Sequence, residues 1–235
     1  MKKILWAIIR RYLTRYGYSL ERTKISGAEP MKLWLSDIPF LELWRKISSN
    51  TMIDVTRAYM LYQFLLNARE ISGAAAEIGV WRGGTGQLIT TILSDKPIFL
   101  FDTFEGLPEV APKHDKNYHV KGEFGNTSYE QVNHLFSENN NVTIVKGVFP
   151  KSINDNISRI NNFCFVHVDV DLYQSAIDCC EYFYPRLSKG GIIIFDDYGF
   201  GTCPGVRHAV DEYFRDKKGH FYLTTGQYIA FNIQH

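Results

Sequence analysis

The sequence predicts an α/β fold: a doubly wound, mostly parallel seven-stranded sheet with an antiparallel last strand and an N-terminal helical extension. Three observations carry this. Apolar runs of strand length alternate with amphipathic helical stretches along most of the chain, a pattern that builds a parallel sheet covered on both faces. Two runs, Phe163–Val168 and Ile192–Phe195, are continuously apolar, as central strands buried on both sides must be. The chain closes with two strand-like segments around a Thr-Gly-Gln turn, which read as a hairpin of edge strands. Its 235 residues, 45% hydrophobic and 22% charged, suit a single globular domain.

In chain order, residues 1–24 form a basic amphipathic segment and residues 25–235 the single domain. Within the latter, 25–72 are a helical lead-in and substrate wall, and 73–235 the core. The predicted strands are Ala74–Ile78, Ile98–Phe101, Val142–Val145, Phe163–Val168 and Ile192–Phe195, followed by His220–Thr224 and Tyr228–Ile233. The intervening helices are predicted at Gln87–Leu93, Ser128–Phe136, Ser175–Leu187 and Val206–Phe214, with a short turn after Val145. A looser polar stretch at 111–128 carries His114 and His119, placed to cover a site.

The formal charge of +1 argues against a protein whose main task is neutralising nucleic-acid phosphate. It conceals a split. Residues 1–24 hold seven basic side chains and one acid, net +6, so the remainder carries −5. Six apolar residues, Ile4–Ile9, are too few to span a bilayer and end in Arg10-Arg11 without a cleavage site, so export is disfavoured. This helix either touches an anionic membrane surface or docks with its charges solvated. Cys164, Cys179, Cys180 and Cys203 make no CxxC pair and offer neither a sequence-local zinc motif nor a disulfide framework, which fits a reducing cytoplasm.

Ligands of doubly wound sheets bind beyond the carboxyl ends of the strands. After the first strand comes Glu77-Ile78-Gly79-Val80-Trp81-Arg82-Gly83-Gly84-Thr85-Gly86, opening directly into a helix. Its glycines allow close backbone approach and the helix start offers free N–H donors. The spacing is not GxGxxG, and Glu77 would repel a pyrophosphate while pairing with an ammonium, which favours a positively charged nucleoside cofactor over NAD. Asp102, ending the second strand beside Thr103, stands where a carboxylate can accept both ribose hydroxyls. At the ends of the fourth and fifth strands, Asp169, Asp171, Asp196 and Asp197 cluster. Such acids are costly to bury unless a cation meets them, and an oxygen-only set favours Mg²⁺, Mn²⁺ or Ca²⁺. Asp169, Asp196 and Asp197 are the metal candidates. Asp171 can take a proton from a substrate hydroxyl or, alternatively, cap the helix that begins near Tyr173. Trp81, Tyr173 and Tyr198 either stack on a ligand or pack, and His167 is read as a strand-interior packing residue.

Together, EIGVWRGGTG, FDTFEGLP (101–108), GNTSYEQV (125–132), GVFP (147–150), HVDVDLYQS (167–175), DDYG (196–199) and CPGVRHAVDEYF (203–214) resemble the macrocin O-methyltransferase family. This is a group of class I, Rossmann-like S-adenosylmethionine-dependent enzymes that methylate sugar hydroxyls of macrolide and aminocoumarin antibiotics. The match spans roughly residues 50–217. It implies S-adenosyl-L-methionine over Glu77, Gly79, Trp81, Gly83, Gly84 and Thr85, its ribose on Asp102 and Thr103, and its adenine near Gly147 and Phe149. It also implies Mg²⁺ on Asp169, Asp196 and Asp197, with Asp169 also beside the cofactor and reacting centre, and Asp171 as candidate general base. A small-molecule or glycan hydroxyl acceptor and a homo-oligomer, a dimer or larger, are expected. The residue chemistry leaves open a catechol-type O-methyltransferase or a non-catalytic cofactor-binding scaffold.

Overall fold

A computed structural model of the chain describes Ile9 and residues 32–110, 113–115 and 118–233. Apart from the exposed, helical Ile9, the basic segment 1–24 lies outside these residues. The chain divides into two compact units, Met1–Ser36 and Asp37–His235. In the first, the described residues include a 3-10 turn, Leu33–Leu35, closed by the Ser36 hydroxyl donating to the Leu33 carbonyl at 2.9 Å.

The second unit opens with α1 (Ile38–Ile47) and α2 (Val55–Ala68), the predicted lead-in. Each has an acid at its N-cap. The Asp37 carboxylate accepts from Phe40 N, and that of Asp54 from the N–H groups of Thr56 and Arg57, satisfying donors that a first turn leaves orphaned. The sheet and its crossovers follow: β1 (Ala74–Ile78), α3 (Gly84–Ile92), β2 (Ile98–Asp102), α4 (Tyr129–Leu135), β3 (Val142–Lys146), α5 (Asp155–Ser158), β4 (Phe163–Val168), α6 (Tyr173–Phe183), β5 (Leu187–Phe195), α7 (Pro204–Phe214), β6 (His220–Tyr222) and β7 (Tyr228–Phe231). Strand order is β3-β2-β1-β4-β5-β7-β6, with β1 through β5 parallel and β7 antiparallel to both neighbours.

Order reverses between β1 and β4. The chain moves outward from β1 through α3 in one direction and from β4 through α6 in the other. Right-handed crossovers therefore put these helices on opposite faces and open a crevice at the β1/β4 carboxyl ends. Along each strand, alternate residues divide between the faces. Ala76, Ile78, Phe101, Val166, Val168, Ile193 and Phe195 join α6 and α7 in one core, containing Cys179, Phe183, Val206 and Phe214. Glu77 pairs in register with His167, and His167 with Ile194, so these point to the other face.

Three segments differ from the sequence reading. The hairpin forms, but β7 lies inside the sheet between β5 and β6, which leaves only β6 at that edge; Ile229 and Ala230 are fully buried accordingly. The helix expected to reach Leu187 stops at Phe183, where Pro185 forces a 3-10 turn, and β5 begins at Leu187 with a register shift near its start. The turn after β3 contains a short helix, capped by the Asn154 side chain.

Candidate active site

The glycine turn between β1 and α3 owes its shape to contacts on both sides. Gly79 has φ +91°, and a Cβ there would stand 1.7 Å from the Asp169 carbonyl oxygen, so the two central strand ends touch through it. A Cβ on Gly84 would meet the Asn50 carbonyl at 2.6 Å, and one on Gly83 would meet Leu135 and Phe136. Gly83, Gly84 and Thr85 are buried and face protein, whereas Gly79 and Trp81 line an open cleft. The same cleft is lined by Asp102, Thr103, Gly147, Phe149, Asp169 and Asp171, bringing eight of the predicted residues to one wall system.

Asp102 has more to do than sequence position suggests. Its Oδ2 accepts from Val80 N (2.8 Å) and Trp81 N (2.7 Å), and its Oδ1 from Phe104 N (2.7 Å). The carboxylate holds the glycine turn against the end of β2. Burial raises its pKa, opposed by those three N–H donors.

Glu77 does not line the cleft. It is fully buried beneath the turn, with Oε1 2.9 Å from His167 Nδ1 and Oε2 without a hydrogen-bond partner among the described residues. A direct contact with a cofactor ammonium, expected from its place at a strand end, is replaced by this internal pair, because residue 77 points to the face opposite Ile78. His167 is correspondingly more than packing. Burial works against its charge, but Asp196 and Glu77 on either side push its pKa up to about 10.

The chain of charges continues to Asp196, which the sequence reading identified, and to Arg57 and Gln227, which it did not. Asp196 lies 3.7 Å from His167 Nε2. Its Oδ1 accepts from Gln227 Nε2 at 2.8 Å, and its Oδ2 pairs with the Arg57 guanidinium, whose Nε also reaches Asp54 Oδ2 at 3.0 Å. Despite full burial, His167 and Arg57 hold Asp196 below its ordinary pKa. No local motif marks Arg57; only the packing of α2 brings it there. A buried acid at a strand end that requires a cation was the available signal.

Asp169, Asp196 and Asp197 converge, with ligand oxygens within 4.8 Å of one another. Burial and then Asp197 raise the pKa of Asp169 well above the usual range; burial and then Asp196 lift Asp197 to about 6. Both Asp197 contacts to the following loop come through Oδ2, which accepts from Val170 N (3.1 Å) and Asp171 N (3.0 Å). Five acids, Glu77, Asp169, Asp171, Asp196 and Asp197, thus meet two cationic side chains, Arg57 and His167. This donor set fits a hard divalent cation.

Asp171 sits at φ +60°, a conformation uncommon for a residue with a side chain. It does not cap α6. That task falls to the buried Asp115 of the covering loop, whose two carboxylate oxygens accept from Tyr173 N at 3.1 and 3.2 Å. Asp171 is thereby left to face the cleft, with the Cys203 thiol donating to its Oδ1 at 3.4 Å. Burial and then Asp197 raise its pKa to about 8, close enough to neutrality for the group to exchange a proton there. Tyr173 stacks on His114 (3.9 Å, 11°) and donates to Glu212, and Tyr198 donates to Asp211, so both aromatics brace the structure outside the cleft. Trp81 lines it, its indole N–H donating to Asn126 Oδ1 at 2.9 Å.

Comparison with known proteins supplies the decisive observation: the family model of the macrocin-O-methyltransferases (TylF) matches residues 44–224. The chain belongs to the macrocin-O-methyltransferase family. It is an O-methyltransferase, with S-adenosylmethionine as methyl donor. Demethyldecarbamoylnovobiocin O-methyltransferase of Streptomyces niveus is 30% identical, covering 71% of this chain and 68% of that one. Mycinamicin III 3''-O-methyltransferase of Micromonospora griseorubida is also 30% identical, covering 73% and 72%. The solved structure of the O-methyltransferase NovP superposes with a TM-score of 0.67 at 26% identity, covering 79% of this chain and 83% of that one. The matched span of this family member runs from α1 to the segment after β6 and includes every acid of the site. Among the described residues no helix is long and apolar enough to cross a membrane.

Proposed function

We propose that this enzyme transfers the methyl group of S-adenosylmethionine to a sugar hydroxyl of a glycan or glycosylated natural product, with a divalent cation of the Mg²⁺ class at Asp169, Asp196 and Asp197 and with Asp171 as general base. The observation that carries this reading is the position of Asp169 and Asp171 on the same cleft wall as Gly79, Trp81 and Asp102, which brings a proton acceptor beside a nucleoside site. A further relative, 30% identical, is 8-demethyl-8-(2,3-dimethoxy-alpha-L-rhamnosyl)-tetracenomycin-C 4'-O-methyltransferase of Streptomyces olivaceus, whose rhamnosyl substrate supports a sugar acceptor over a catechol or a non-catalytic scaffold.

Asp102, Gly79 and Gly147 shape the nucleoside end of the cleft, both glycines in positive-φ conformations that let adjoining backbone pack behind the cleft wall. Bound there, S-adenosylmethionine supplies a sulfonium-activated methyl group with a neutral thioether as leaving group. Asp169, Asp196 and Asp197 would hold the cation, which supplies positive charge to orient an acceptor diol and lower the pKa of its hydroxyl. Asp171 accepts the hydroxyl proton on its carboxylate as the oxygen bonds to the methyl carbon and the carbon–sulfur bond breaks, its electron pair staying on sulfur. Phe124 lines the cleft.

Incubation with labelled S-adenosylmethionine and a panel of glycosides, including mycinamicin III and demethyldecarbamoylnovobiocin, tests the acceptor class. Incorporation on a sugar oxygen is expected. Methylation of catechols alone, or none beside intact cofactor binding, would reject a sugar acceptor.

A further inference from the structure

A second cluster of metal-binding character lies beside the acidic one. His119 from the covering loop, Asp171 after β4, and Cys203 at the N-cap of α7 bring one nitrogen, one oxygen and one sulfur within 4.8 Å of one another. Cys203 Sγ stands 3.6 Å from His119 Nε2 and 3.4 Å from Asp171 Oδ1. With metal–sulfur, –nitrogen and –oxygen bonds of about 2.3, 2.05 and 2.0 Å, a tetrahedral zinc ion separates sulfur from nitrogen and from oxygen by about 3.5–3.6 Å. The two observed separations from sulfur are close to such edges, and the third, nitrogen to oxygen, lies within 4.8 Å. The histidine is also held as a ligand should be. Its Nδ1 lies 3.0 Å from Glu123 Oε2; with Nδ1–H donating to that carboxylate, Nε2 presents its lone pair to Cys203 and Asp171.

We propose that His119, Asp171 and Cys203 form a binding site for a soft divalent ion of the zinc class, separate from the oxygen-only cluster, and that its occupation inhibits the enzyme by engaging Asp171. Sulfur and imidazole select zinc over magnesium, which the neighbouring carboxylates suit. Three protein ligands leave a fourth position open, and one of the three, Asp171, also lines the cleft. Coordination releases the thiol proton to solvent and leaves the thiolate on the metal. The inhibitory half rests on Asp171 being the base; the binding half does not.

Cobalt(II) is the probe, added at one equivalent to the full chain in excess Mg²⁺. The expected result is a thiolate-to-cobalt charge-transfer band with intense tetrahedral d–d absorption, bleached by one equivalent of Zn²⁺. Cys203→Ser should abolish the charge-transfer band, and Glu123→Gln should weaken zinc binding about 10–100-fold, with circular dichroism verifying that each variant is folded. No band in the folded wild type, or a band that persists in Cys203→Ser, overturns the site. Methyl transfer by the wild type should fall on zinc addition and recover with a zinc chelator, while Cys203→Ser stays active at the same zinc concentration. A full charge-transfer band without zinc inhibition overturns the inhibitory role and with it the assignment of Asp171 as base, independently of the binding result.

Discussion

Single residues here answer to demands that adjoining strands make on each other. Gly79 is constrained twice, by its positive φ and by the Asp169 backbone it touches. Gly79→Ala should cost about 3 kcal/mol or more in a denaturant melt, since a strained dihedral alone costs 1–3, and should lower cofactor affinity in a binding titration. The glycine turn was legible from composition and position, but its individual roles were not. Gly83 and Gly84 serve helix packing, and Glu77 serves His167, because a sequence shows which residues end a strand without showing which neighbour each side chain meets. Asp171 shows the reverse. Its capping and catalytic readings could not be separated until Asp115, 56 residues upstream, was seen at the N–H of Tyr173.

At the scale of elements, two long-range contacts organise the site. Arg57 on α2 ties the helical lead-in to Asp196 beyond β5. Removing it leaves a buried carboxylate short of a counter-charge, so Arg57→Met should destabilise the enzyme by about 3–5 kcal/mol; thermal melts should show much of that loss restored by Mg²⁺, which supplies charge to the same acids. Asp115 ties the covering loop to α6, and it fits only because residue 205 lacks a side chain: a Cβ there would lie 1.8 Å from Asp115 Oδ1. Gly205→Ala should dislodge that carboxylate, raise protease sensitivity in the covering loop, and raise the KM for the acceptor more than that for S-adenosylmethionine. Periodicity located the buried parallel strands β1, β2 and β4 to within a residue, because they are almost continuously apolar, but it missed the polar first half of β5, Leu187–Gly191. It could not order β6 and β7, since strand succession in space depends on the turn and on burial of Ile229.

For the whole molecule, the sheet reversal between β1 and β4 gathers acids that lie as far apart in sequence as Asp102 and Asp197 at one end of the fold. The uneven charge noted in the sequence thus has a structural counterpart, since buried carboxylates outnumber their cationic partners around Asp169. A divalent cation binding only the folded state should stabilise it by about 2.7 kcal/mol at a hundredfold excess over its Kd, measurable as a rise in Tm with Mg²⁺ that is absent when Asp169 and Asp197 are both replaced by Asn. The central claim concerns the proton and the cation together. It is tested most directly by methyl-transfer rates to a glycoside acceptor for wild type, with and without a divalent-ion chelator, and for Asp171→Asn, alongside calorimetric titration with S-adenosylhomocysteine. The account predicts a rate loss of about 10²–10⁴ for Asp171→Asn with cofactor-product affinity unchanged, and loss of wild-type turnover on chelation that Mg²⁺ reverses. Turnover that survives both treatments would contradict it.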